Sequence, residues 1–74
     1  MTQYLFKTRC GTFRIEQHPN GWQAWFGDEY FDGPFQSAQA AAEDIAGGHT
    51  AWPSCGDPSR LSVPEDLAAW TLLK

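Results

Sequence analysis

Apolar and polar side chains alternate over residues 12–17, where Phe13 and Ile15 are separated by Arg14 and Glu16. A period of two is the mark of a strand with one buried face, because successive side chains point to opposite sides of a sheet. Tyr4 to Arg9 has the same character. Gly11 then stands either at a bulge within one long bent strand or at a break between two, and the sequence leaves both open. His18-Pro19-Asn20-Gly21 follows, and Asn-Gly predicts a hairpin, since both residues tolerate the positive φ of a type I′ turn. The next strand places Trp22, Ala24 and Phe26 on one face and Gln23 and Trp25 on the other. Gly27-Asp28 then offers a two-residue turn of the II′ kind, with Gly first.

With that turn, Phe26 opposes Glu29, Trp25 opposes Tyr30, Ala24 opposes Phe31, Gln23 opposes Asp32 and Trp22 opposes Gly33. Small residues thereby face large ones on the inner face, while Trp25 and Tyr30 form an aromatic pair on the outer one. Whether the first hairpin loop has two residues or four, Phe13 and Ile15 share the face of Trp22, Ala24 and Phe26.

Beyond Gly33-Pro34-Phe35 the period changes. Ser37 is suited to cap a helix over 38–46, in which Ala38, Ala41, Ala42 and Ile45 make one stripe and Gln39, Glu43 and Asp44 face water. Gly47-Gly48 stops it. Residues 49–61 have turn-making density and read as an ordered loop pinned by Trp52. Ser62-Val63-Pro64-Glu65 reads as a capping box opening a second short helix anchored by Leu67 and Trp70. The expected fold is therefore α+β: a three-stranded antiparallel sheet (about 4–17, 22–27 and 29–35) on one Ala-rich helix (38–46), with a short C-terminal helix (63–71). No repeat or linker divides the chain, so residues 1–74 read as a single domain.

Composition makes so small a core feasible. Four Trp, five Phe and two Tyr can each remove ~150–250 Å² from water, so neither a metal nor a disulfide staple is required, and no cofactor is expected. The net charge of −4 opposes the electrostatic attraction behind most nucleic-acid affinity and argues against that partner. The absence of a long apolar run or a basic-then-apolar leader argues against a membrane and predicts a cytoplasmic protein.

Candidate chemistry is sparse. Cys10 and Cys55 could pair, but two cysteines fall below the count of a secreted disulfide framework, and two small buried thiols, with His18 and His49 in loops, are expected. With His18 and His49 they form a conceivable zinc set, lacking the short Cys-x-x-Cys spacing that puts two ligands in one turn. Asp28, Glu29 and Asp32 read as solvated turn residues rather than a cation loop. Gly47-Gly48-His49-Thr50 follows a helix and so cannot cradle phosphate as loops that precede one do. A Cys55–His49 nucleophile pair would make the chain a small enzyme or thiol-reactive protein, but no orienting group or oxyanion donor accompanies it. The chain reads as not an enzyme.

Trp25 and Tyr30, flanked by Arg14, Glu16, Gln23 and Asp32, carry residue types found at protein-interface hot spots. This face is either a docking surface for a protein partner or a second copy, or it is covered by the C-terminal helix through Leu67 and Trp70.

The stretch from Gly21-Trp22-Gln23-Ala24-Trp25-Phe26-Gly27-Asp28 to Phe35-Gln36-Ser37-Ala38-Gln39-Ala40-Ala41-Ala42 resembles AP2-type and integrase amino-terminal DNA-binding domains. In those, three strands lead to a capped Ala-rich helix, and the resemblance implies nucleic-acid binding through the exposed sheet face, here with Lys7, Arg9, Arg14 and Trp25. Gln23, Glu16 and Asp32 depart from that pattern. The chain also resembles small acidic bacterial proteins of unknown function that carry Gly-Trp-x-Ala-Trp-Phe-Gly-Asp and Ala-Gly-Gly-His-Thr. That resemblance implies a fold and no activity.

Overall fold

The computed structural model describes residues 2–73; Met1 and Lys74, included in the 1–74 single-domain expectation, lie outside the described residues. Five strands form one antiparallel sheet: β1 (Gln3–Thr8), β2 (Gly11–His18), β3 (Gly21–Phe26), β4 (Glu29–Phe35) and β5 (Thr71–Leu73). Their spatial order is β4-β3-β2-β1-β5. The fold is α+β, but the expected three-stranded sheet is corrected to five strands. One added strand comes from splitting residues 4–17 into two, and the other from the C-terminus.

The split is made by Thr8. Its hydroxyl accepts the N–H groups of Cys10 and Gly11, each at 3.2 Å, and donates to the Gly11 carbonyl at 2.7 Å. A threonine satisfying the backbone groups of a tight loop stabilises a turn where a bulge would have left the strand continuous. Thr8 consequently pairs with Gly11 across the two-residue loop Arg9-Cys10.

The hairpin at 18–21 is present, with a different turn. His18 pairs with Gly21, so Pro19-Asn20 is the loop, and the positive φ of 137° falls on Gly21 rather than on Asn20. A Cβ on Gly21 would lie 2.8 Å from the Phe35 carbonyl oxygen, so the close approach of β4 also requires glycine there. Phe13 and Ile15 pair with Phe26 and Ala24, on the expected face. At the second hairpin Gly27 has φ 59°, as the first position of a II′ turn needs. Phe26–Glu29 and Trp25–Tyr30 pair as expected, but β4 then bulges twice, so Ala24 opposes Asp32 and Trp22 opposes Phe35. The expected pairings of Ala24 with Phe31, Gln23 with Asp32 and Trp22 with Gly33 are corrected accordingly.

Helix α1 (Ala38–Gly47) buries Ala38, Ala41, Ala42 and Ile45 on the inner sheet face, against Phe13, Ile15, Ala24 and Phe31. Ser37 caps it by accepting the Ala40 N–H at 3.0 Å. Gly48 ends it in the left-handed region, with the His49 N–H returning to the Asp44 carbonyl at 2.9 Å. Small side chains on the helix let it approach closely while sheet aromatics fill the volume.

The expected C-terminal helix over 63–71 does not form. Ser62 has φ 57° and ψ 35°, a conformation that an N-cap serine does not adopt, and it closes a short 3-10 turn at Pro58–Leu61 instead. A second 3-10 turn, Leu67–Ala69, is capped by Asp66, and the chain then enters β5, which pairs with Gln3–Leu5 of β1. Trp70 is buried at 5% exposure against Phe6, with its indole N–H donated to the Pro64 carbonyl at 2.9 Å. A six-to-nine-residue helix is marginal on its own, and seating Trp70 with its donor satisfied outweighs it.

Residues 49–57 are held differently from expectation. Trp52 is 59% exposed, and the buried anchors nearby are Thr50, Pro53 and Pro58. Two acidic side chains of β4 fasten the loop: Asp32 accepts the Ala51 N–H at 3.0 Å and Glu29 the Ser54 N–H at 3.1 Å. Of the three residues expected to be solvated turn carboxylates, Glu29 and Asp32 thus act as backbone acceptors.

Candidate functional site: the outer face of the sheet

The antiparallel registers align one residue from each strand in a row across the outer face: Thr71, Leu5, Arg14, Trp25 and Tyr30. Beside it run Gln3, Glu16 and Gln23, and on the other side Lys7 and Thr12. Alternation along each strand is the reason: the aromatic and aliphatic residues that enter the core occupy the other phase.

The row is internally ordered. The Arg14 guanidinium lies over the Trp25 ring, 5.0 Å from its centroid, and Trp25 meets Tyr30 edge-on with centroids 5.6 Å apart. Arg14 Nε is 2.8 Å from Glu16 Oε2, an ionic contact that lacks the alignment of a hydrogen bond. Glu16 also contacts His18 Nε2 at 3.0 Å. The Tyr30 hydroxyl donates to the Gly33 carbonyl at 3.1 Å, which fixes the ring while leaving the residue exposed. The Trp25 indole N–H is covered and has no partner among the described residues.

Of the six residues expected here, Arg14, Glu16, Gln23, Trp25 and Tyr30 share the face. Asp32 leaves it, because the β4 bulge carries its carboxylate to the N–H groups of Gly33 and Ala51. Leu5 and Thr71 join it. The alternation of Tyr4 to Arg9 signals Leu5, whereas Thr71 depends on a pairing between the two ends of the chain. Of the two alternatives for this face, covering by Leu67 and Trp70 is not what forms, since both pack into the helix-side core, and no described element lies across the outer face.

The other candidates are dispersed. Cys10 is exposed rather than buried and His18 is the last residue of β2 rather than a loop residue, at the far end of that strand from Cys10, so the four residues of the conceivable zinc set do not converge. Among the described residues no three His, Cys, Asp or Glu side chains form a metal-sized group. His49 folds back over Gly47 and makes no hydrogen bond with Cys55 among the described residues. Burial pushes the Cys55 thiol above its ordinary value, with Cys10 as the next contribution, a direction opposite to that of an activated nucleophile. Among the described residues no helix is long and apolar enough to cross a membrane.

The fold and this face define a small α+β domain with an ordered aromatic sheet surface. No family model, no curated protein and no solved structure matches the chain.

Proposed function

We propose that the protein is a non-catalytic interaction module that docks a protein surface, either a partner's or that of a second copy, on the Leu5–Arg14–Trp25–Tyr30 row. The observation that carries this reading is the Arg14–Trp25–Tyr30 stack, half-buried at Arg14 and Trp25 and exposed at Tyr30, across which no described element lies. A fold that draws Phe13, Phe31 and Trp70 into its core keeps on this face a tryptophan whose N–H is unsatisfied among the described residues, at a cost of about 1–3 kcal/mol for such a donor. Trp, Tyr and Arg together are the residue types that dominate binding energy at protein interfaces, and a stack held by Glu16 and the Gly33 carbonyl is ordered before a partner arrives, which lowers the entropy lost on docking.

Glu16 bears on the nucleic-acid alternative. It neutralises Arg14 at the centre of the face, leaving Lys7 and the turn residue Arg9 as the free cations nearby, a thin basis for phosphate binding.

The test is the double variant Trp25→Ala/Tyr30→Ala. Association measured by sedimentation and by chemical cross-linking should disappear while amide NMR spectra retain the pattern of the folded domain. Association unchanged in the double variant overturns the reading. Amide shifts along the row induced by short duplex DNA, and abolished by salt, replace it with the nucleic-acid alternative.

A further inference from the structure

The two edges of the sheet differ in what they leave open. Along β4 the ladder is broken by bulges, Pro34 has no N–H, and the 49–57 loop is fastened through Glu29 and Asp32, devices that blunt an edge. At the other edge β5 pairs with β1 only from Gln3 to Leu5. The residues before Thr71 are wound into the 3-10 turn Leu67–Ala69 instead, so Phe6, Lys7 and Thr8 have a strand on one side alone. At ~3.4 Å per residue the vacant length is about 10 Å.

The register decides which backbone groups this edge presents. The Gln17 N–H donates to the Thr2 carbonyl at 3.0 Å, so the even-numbered residues of β1 exchange hydrogen bonds with β2 and the odd-numbered ones point the other way. Gln3 and Leu5 face β5. Lys7, next in that series, turns its N–H and carbonyl to the vacant edge, where they have no protein partner among the described residues. A cleft of about 520 Å³ lies here, lined by Leu5, Phe6, Lys7, Ala69 and Thr71. Lys7 is its one charged wall, exposed and without an ion pair among the described residues, and Arg9 is exposed in the adjoining loop.

We infer that this slot takes the acidic, extended C-terminal tail of a partner protein, added to the sheet antiparallel to β1 and in line with β5. A tail residue opposite Lys7 exchanges both hydrogen bonds with it and carries its side chain on the same outer face. A Glu or Asp there meets the Lys7 ammonium group as a cross-strand ion pair. The next tail residue, opposite Phe6, points to the other side of the sheet, beside the Phe6 ring, and is apolar. Thr71 closes the slot, so the tail ends against it, and Lys7 attracts a terminal carboxylate where it would repel an N-terminal ammonium. A lysine at an open edge discourages pairing with other sheets, and an acidic strand turns the same charge into attraction. The inference rests on the reading that this domain docks a protein, and it extends the docking row at its Leu5 end.

The probe is the acetylated peptide Ser-Gly-Ser-Val-Glu-Leu with a free carboxylate, titrated into the isotope-labelled full-length chain at low salt. Amide shifts should centre on Lys7, Ala69 and Thr71, and hydrogen exchange at the Lys7 amide should slow on saturation. Methylating the backbone nitrogen of the peptide's Glu removes the donor to the Lys7 carbonyl and should abolish binding. Amidating the peptide terminus, or Lys7→Glu in the protein, should each weaken binding about fivefold; Lys7→Glu should keep the amide pattern of the folded domain, because that side chain is exposed. Absence of shifts at Lys7, or binding indifferent to methylation, overturns the inference. Trp25→Ala/Tyr30→Ala separates the edge from the row. Peptide binding kept in a double variant that has lost association supports both; association unchanged in that variant, with the peptide still bound, removes the row and leaves the edge.

Discussion

Gly48 and Asp57 show how single residues carry structure that the elements rely on. Gly48 ends α1 at φ 71°, and a Cβ there would lie 2.6 Å from Asp57 Oδ1. Gly48→Ala should destabilise the domain by at least about 1–2 kcal/mol from the left-handed backbone alone, lowering Tm by ~4 °C or more in a calorimetric scan. Asp57 itself accepts the hydroxyl and the N–H of Ser59, and these bonds, the hydroxyl first, hold its carboxyl below the ordinary value of 3.8. A lowered folded-state pKa means that the ionised form favours folding. The contribution is complete above 3.8 and is lost as pH falls through the lowered value. The stability difference between wild type and Asp57→Asn, followed by thermal melts, should therefore stay constant from pH 7 to pH 5 and shrink below pH ~4.

Among the elements, α1 was legible because its signals are local. Ser37, the Ala38–Ala41–Ala42–Ile45 stripe and the Gly pair all act within one or two turns, and each does what its chemistry predicts. Gln39 is the exception, expected to face water and instead clasping the C-terminal segment. Its amide donates to the Glu65 carbonyl at 2.8 Å and accepts the Leu67 N–H at 3.1 Å. An amide carries a donor and an acceptor side by side, so it can substitute for a strand partner where the chain has no regular structure. Gln39→Ala should cost about 1–2 kcal/mol for the two bonds, and hydrogen exchange should accelerate first at Leu67 and through β5. Uniform acceleration across the whole sheet would instead mean that the clasp belongs to the global unfolding unit.

At the scale of the whole molecule, one side of the sheet is core and the other is free. The inner face is covered jointly by α1 and the C-terminal segment, so the Trp25→Ala/Tyr30→Ala variant should lose association while its Tm falls far less than a comparable truncation of Phe13, which is fully buried. This division also accounts for what the chain alone determined. Alternation set the faces of β2 and β3, the two hairpins set their neighbours, and capping set α1; these depend on spacing over a few residues, which the backbone converts directly into geometry. The candidate face was visible to the same extent, through Arg14, Glu16, Gln23, Trp25 and Tyr30. Tertiary structure alone decided the pairing of β5 with β1, the bulges that turn Asp32 toward the 49–57 loop, and the hold of Glu29 on Ser54 in that loop. Each joins residues far apart in the chain, where the free energy lies in burying Trp70 and satisfying loop amides rather than in any local propensity.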